Sequence, residues 1–468
     1  MTAIITDRIK DTLTTHLFNE LTGTRIGDSD NYYSVAVGRS QQYDPVGNQD
    51  IASSPSNTTR EERLFRYNMQ SVKLVEAFSF VIPTYDWAAN TVYSAYNDNV
   101  AGQPATSYYV RTNDNNVYLC VRTGKNATGT TQVSTVKPDH TDTTLTAETD
   151  GYVWKFLYTI TTANSNSFLT SEFMPVKFVD SAIATDPEFS QYSVQNAAIA
   201  KQIVGYRVTT AGGPYTSAPA ITVSGDGTGA KARAILSATG SIAAIEVGDS
   251  ASAPIVSCMG TNYDNATVSI SSASLAGGGT AAKAVPIFSP KAGLGADPRK
   301  DLRSTSLMLN IKPAGTETGN WITGNDYRQI GVFKNLLLYD SAGKFTTGSG
   351  LALNRMRLTT LPGVGAISFA NDVELTGGTS GAKAWLDFYD DSNTLMYHQD
   401  EYTGFDSFQN GETVTVEGYT ASTLTIDSAL VNPIVDRFSG DLLYIDNRAT
   451  ATTRDAGQTE DIKIVIKL

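Results

Sequence analysis

Two cysteines, three histidines and no Lys/Arg-rich run are all that 468 residues offer to thiol, metal or phosphate chemistry. Cys120 and Cys258 fall in different segments, so the sequence supports neither a disulfide framework nor a zinc site. They read as two buried thiols in a chain that matures in a reducing cytosol. His16, His140 and His398 are far apart and none sits in a metal-ligand spacing, so each is expected to be a surface or internally satisfied histidine. No metal, cofactor or catalytic residue is assigned. No apolar stretch approaches the roughly 18 residues of a membrane span, and residues 1–7 carry acids and hydroxyls in place of a signal core. The net charge of −12 repels a phosphate backbone, which argues against nucleic acid as a partner.

What is present is globular and β-prone. Hydrophobic residues make up 41% and charged residues 18%, with 39 Gly and 23 Tyr, too apolar for disorder and too rich in Gly for a helical bundle. At roughly 150 residues per domain the length suggests about three units.

Ile5, Ile9, Leu13, Leu17 and Leu21 recur every four residues, which predicts a helix closed by Gly23 and Gly27. Thr59-Arg-Glu-Glu62 has the pattern of a capping box opening a short helix to about Tyr67. Strands are expected at 32–37 and 72–82, then at 107–110, 117–121 and 152–160, with 126–148 an exposed loop. Residues 203–288 are dominated by Gly, Ala, Thr and Ser, and a phrase recurs in them. Tyr215 leads to Ile221-Thr-Val223 and Gly227-Thr-Gly-Ala-Lys-Ala232; Tyr263 leads to Val268, Ile270 and Gly279-Thr-Ala-Ala-Lys-Ala284. A third Gly-Ala-Lys-Ala stands at 381–384. These read as small inserted β modules. The end of the chain alternates Ile462, Ile464, Ile466 and Leu468 with Lys463, Val465 and Lys467, a strand that must be paired.

Searching for chemistry returns little. There is no Gly-x-Ser-x-Gly elbow. Lys231, Lys283 and Lys383 are each flanked by Ala, whereas a phosphate loop needs Gly-Lys followed by Ser or Thr at the start of a helix. Asp28 with Asp30, and Asp390 with Asp391, are carboxylate pairs whose bland reading is solvated acids; a glycosidase would need them set across a sugar cleft. The Tyr-rich residues 85–109 are expected to pack at a core edge or interface rather than stack on sugars. Arg328, between apolar segments, is expected to pair with a carboxylate or carbonyl.

Six phrases in order carry a family resemblance. They are Val37-Gly-Arg-Ser40; Ser71-Val-Lys-Leu74 with Val81-Ile-Pro83 and Asp86-Trp87; Val117-Tyr-Leu-Cys120 with Asp150-Gly-Tyr-Val-Trp154; Asn325-Asp-Tyr-Arg-Gln-Ile-Gly331; Ser439-Gly-Asp-Leu-Leu-Tyr-Ile-Asp-Asn-Arg448; and Gln458-Thr-Glu-Asp-Ile-Lys-Ile464. Together they resemble the baseplate wedge subunit, the eighth-gene product, of T-even-like contractile-tailed phages, over residues 1–195, 290–365 and 432–468. The resemblance implies a mostly β protomer of β-sandwich domains with a few short helices. Domain one would comprise 1–88 with 290–365 and 432–468, and domain two 89–195, with 196–289 and 366–431 as inserted β modules. It places the terminal strand in domain one beside segments about 300 or more residues earlier. It implies a homodimer that binds other wedge proteins of the same phage, assembles in the host cytoplasm and resides in the virion tail baseplate. The role would be structural and mechanical, not enzymatic. The alternative is a glycan-binding or glycan-cleaving tail protein.

Overall fold

The computed structural model describes residues 7–23, 31–43, 57–75, 77–100, 106–249, 255–314, 317, 320–341, 343–346, 348–359, 369, 372–390, 393–420, 422–455 and 457–468. The fold is mostly β with five helices among these residues. Two compact units emerge. One comprises residues 1–16, 79–308 and 465–468, and the other comprises 17–78 and 309–464. The stretches 89–195 and 196–289, separate in the sequence reading, thus share a unit, and 366–431 belongs to the other.

The first unit is built on a sheet of four strands in the order Tyr109–Arg111, Asn116–Arg122, Val153–Thr159, Leu145–Ala147. Its core is aromatic. Tyr93, Tyr118, Tyr152, Trp154 and Phe156 are buried with Cys120, and the Tyr152 and Trp154 rings stack at 5.8 Å and 13°. The turn into the Val153–Thr159 strand explains the Asp150-Gly151 phrase. Gly151 has φ +85°. Asp150 Oδ2 accepts from the backbone N–H groups of Thr135 at 2.7 Å and Val136 at 3.0 Å, fixing the loop beside it. The residues 126–148 are an exposed loop only in part, since Ser134 is buried and Leu145–Ala147 is a strand. The tyrosines of 85–109 sit inward, with Tyr93, Tyr96, Tyr108 and Tyr109 all buried, as packing requires.

Residues 203–288 form one nested antiparallel ribbon. Ile203–Thr210 pairs with Lys283–Phe288 and Gly213–Tyr215 with Leu275–Thr280. Ile221–Gly225 pairs with Ala266–Ile270, Thr228–Ala230 with Met259–Thr261, and Ala232–Leu236 with Ile242–Val247. The two sequence copies are therefore not side by side: each completes the other. The exchange is symmetric in detail. Tyr215 Oη accepts from the N–H of Ala282 at 2.8 Å, and Tyr263 Oη accepts from the N–H of Ala230 at 3.4 Å. Gly212 at φ +61° and Gly260 at φ +64° occupy matching sites, where a Cβ would lie 2.5 Å from Ala282 N and 2.6 Å from Ala230 N.

The ribbon starts and ends at one place. Ser289 N donates to Gln202 O at 2.8 Å, and Ser289 Oγ accepts from Gln202 N at 3.1 Å. A short Gly/Ser linker replacing 203–288 spans that gap at little entropic cost. The shortened chain is expected to remain soluble, with a cooperative urea transition; insoluble or unfolded protein would show that the ribbon completes the core.

The second unit has a five-stranded sheet in the order Ser349–Leu351, Met69–Leu74, Tyr33–Gly38, Asp326–Lys334, Asp441–Thr453. Helix Thr58–Tyr67 covers it and buries Phe65 with Phe333, Met69 and Val435. Gly331 is required there, because a Cβ would stand 2.6 Å from the Phe65 ring. The cap of that helix is Asn57, whose side chain accepts from Arg60 N at 3.2 Å, one residue before the helix and ahead of the expected Thr59 box. Beside the sheet in sequence, six strands within 354–431 close into a barrel around Leu375, Leu386, Leu395, Leu424 and Ile426. The module expected over 366–431 thus begins earlier, with the strand Asn354–Leu358.

Helix Asp7–Leu21 forms where the fourfold spacing places it, but Ile9 and Leu13 are 50% and 53% exposed. Of the described members of the apolar series, Leu21 alone is buried. Ile5 and Gly27 lie outside the described residues. The terminal strand Ile462–Lys467 pairs with Ser306–Ile311, and Asn310 Nδ2 donates to Asp461 Oδ1 across 151 residues of sequence. That partner is nearer than the resemblance implied. Ile462 and Ile464 are buried, Ile466 is half-buried and Leu468 exposed.

Candidate functional site

The second unit contains a buried polar cluster. Strands Lys383–Asp390 and Thr394–His398 pair so that Asp387 and His398 meet inside. His398 Nδ1 lies 2.6 Å from Asp387 Oδ2. Asp387 Oδ1 accepts from Gln70 Nε2 at 3.2 Å and Ser40 Oγ at 3.3 Å, and Asn325 Nδ2 donates to the Asp387 carbonyl at 2.8 Å. Burial alone would pull the His398 value down, but the charge and hydrogen bond of Asp387 raise it above the ordinary one. Burial pushes the half-buried Asp372 up to about 6.

This cluster is not arranged for turnover. The side chains of His398 and Asp387 are 1% and 0% exposed, so no substrate reaches them. Ser40 bonds the carboxylate and not the imidazole, whereas a triad needs the hydroxyl on the far ring nitrogen. His398 Nε2 has no partner among the described residues, and neither ring nitrogen of His140 has one. Of the histidines expected to be surface or internally satisfied, His398 is held through Nδ1 by Asp387.

An exposed aromatic surface lies in the same unit. Tyr402, Phe405 and Phe438 are 63%, 53% and 58% exposed. Tyr67, at the end of the covering helix, packs its ring tilted against Phe405 at 4.8 Å and edge-on to Phe438 at 6.1 Å. Arg66 holds the turn behind them, donating to the carbonyls of Arg437 at 2.8 Å, Ser439 at 2.6 Å and Gly440 at 2.8 Å. Gly440 adopts φ +63°, which accounts for the Ser439-Gly440 phrase. Phe438 and Tyr339 border a cleft of about 270 Å³ whose polar walls include Gln399, Ser407 and Arg437. Among the described residues Asp436 is the one carboxylate along it, and it accepts from Phe438 N at 2.9 Å as a turn cap. Paired acids for glycoside cleavage are not gathered there. Tyr, Phe and Arg around a rigid turn are the composition of protein-interface hot spots.

The remaining sequence candidates are dispersed. Cys120 and Cys258 are buried and free, and burial pushes the Cys120 thiol up, away from reactivity. Lys231 pairs with Asp249 at 2.6 Å and Lys383 with Glu374 at 2.8 Å, on strand edges and not at a helix start. Arg328 donates to the Ser40 carbonyl and lies 3.8 Å from Asp326. Asp28, Asp30, the side chain of Asp390, and Asp391 lie outside the described residues. No cluster of metal-ligating side chains occurs among the described residues. No described helix is long and apolar enough to cross a membrane. Neither a protein-family model nor a curated protein matches the chain.

Proposed function

We propose that the chain is a structural subunit of a contractile-tail baseplate wedge, holding neighbouring wedge proteins together and moving as a near-rigid body when the baseplate rearranges. The observation that carries this reading is the exposed aromatic surface of Tyr402, Phe405 and Phe438, braced from behind by Arg66. Rings held rigid in water lose little entropy when another protein covers them. The six ordered phrases support the same reading, and several of them fall at positions with a structural duty, such as Gly151, Gly331 and Gly440.

The reading includes a two-fold homodimer, the commonest closed oligomer. Multi-angle light scattering is expected to report about twice 50.1 kDa. A clean monomer at micromolar concentration counts against it. A glycan-binding tail protein is the second reading, favoured by the same rings standing beside Gln399 and Ser407. Saturable binding to one member of a capsule and lipopolysaccharide panel, lost in Phe438→Ser, would decide for it.

A further inference from the structure

The fold gathers a basic groove that no run of sequence announces. A cleft of about 590 Å³ in the first unit is lined by Arg8 and Lys10 from the first helix and by Lys291, Arg299, Lys300 and Arg303 from nearly 300 residues later. Among the described residues Asp11 is the one acid on its wall, in a chain of net charge −12. The positive charge is therefore local and set against an acidic remainder.

Its two halves differ in duty. Arg299 is fixed: its guanidinium takes Asp297 through Nε at 3.0 Å and Nη2 at 3.1 Å, with the Phe80 and Phe178 rings each 5.2 Å away. Arg303 is fixed as well, donating to the carbonyls of Val100 at 2.5 Å and Asn97 at 2.6 Å over the rings of Tyr96 and Tyr108. These two form a rigid floor. Arg8, Lys10 and Lys291 are exposed and form no ion pair among the described residues, while Lys300, its side chain 60% exposed, lies 3.7 Å from Asp297. Gathering six basic side chains around so few carboxylates costs free energy that an acidic ligand would recover.

We infer that this groove docks a carboxylate-rich peptide segment of a partner protein. Charge complementarity names the sign. Both fixed guanidinium forks are already occupied, so bidentate contact with an incoming anion rests on Arg8 alone. The other charges not held in the floor, Lys10, Lys291 and Lys300, are dispersed ammonium groups that suit spaced side-chain carboxylates. The surrounding acidic surface repels a long polyanion, whereas a short segment lies within a Debye length of about 8 Å of the groove. The volume matches a short segment and not an extended strand of nucleic acid. Ile9 and Leu13, exposed on the same helix, offer apolar contact beside the charges. The inference stands apart from the wedge reading, since it rests on the groove alone.

The test is fluorescence anisotropy with the purified full chain. The probes are a labelled peptide of alternating Glu and Ser about a dozen residues long, its Gln-for-Glu analogue, and an oligothymidylate of equal length. The acidic peptide is expected to bind saturably and more weakly as salt rises. Affinity should fall at least about tenfold in Arg8→Glu/Lys10→Glu/Lys291→Glu, three exposed sites whose combined surface-pair contributions reach that size. The triple Gln variant, which keeps side-chain length and removes only charge, should lose an intermediate amount. Circular dichroism of each variant confirms an unchanged fold. The inference is overturned if no saturable binding is seen, if the Gln analogue binds equally, or if charge reversal changes nothing. Oligothymidylate binding as tightly as the peptide overturns it too, in favour of a nucleic-acid groove.

Discussion

Removing residues 461–468 is expected to abolish folding. Ile462 and Ile464 are buried at 9% and 8% exposure, and each buried Ile truncated to Ala costs about 2–5 kcal/mol. The deletion removes both, together with the ladder to Ser306–Ile311 and the bond from Leu468 N to Thr305 O at 3.1 Å. It also exposes the edge of Ser306–Ile311, a site for aggregation. A total stability of about 5–15 kcal/mol does not absorb such a loss. Expression of the truncated chain, followed by urea melts monitored by circular dichroism, reads the outcome. A soluble product with the wild-type midpoint would mean that the strand contributes nothing to the fold.

The second large effect lies in the barrel. Asp387→Ala is expected to cost about 3–5 kcal/mol, the range for removing one partner of a buried ionic pair. The substitution strands His398, Ser40 and Gln70 together, because all three bond the same carboxylate. Replacing both Asp387 and His398 by Leu should recover part of the loss, since no buried charge then remains.

A pH dependence accompanies this pair. The folded chain holds the His398 proton more tightly than the ordinary value of 6.5 implies. The stability that this proton contributes is therefore complete below pH 6.5 and is lost as the pH climbs through the raised value. Asp372 acts in the same direction between its ordinary 3.8 and about 6. Wild-type urea midpoints should fall as the pH rises from about 5 to 8, and the double Leu variant should show a flatter profile.

Local features of the fold were legible in the sequence, and pairings were not. The helix over 7–21 followed from its spacing, yet its apolar face stays exposed at Ile9 and Leu13, because periodicity reports a face and not what covers it. The Gly-Ala-Lys-Ala copies were visible, but their exchange of strands was not: two degenerate copies fit stacking and intertwining equally well, and the strand pairings, with the Tyr215 and Tyr263 bonds, separate the two. Asp387 carried no motif. Its partners come from residues 40, 70, 325 and 398, so only the fold reveals the cluster. The basic groove was hidden for the same reason, its charges divided between the first helix and 291–303.

A wedge subunit resides at the tail end of the virion and is built in as a structural part. An antibody raised against the purified chain, marked with gold and applied to virions of a phage whose genome is found to encode it, tests the proposal by negative-stain electron microscopy. The account predicts gold at the end of the tail, on the baseplate, in particles with both extended and contracted sheaths. Label confined to the capsid or neck, or virions without label that also lack the chain by mass spectrometry, would contradict it.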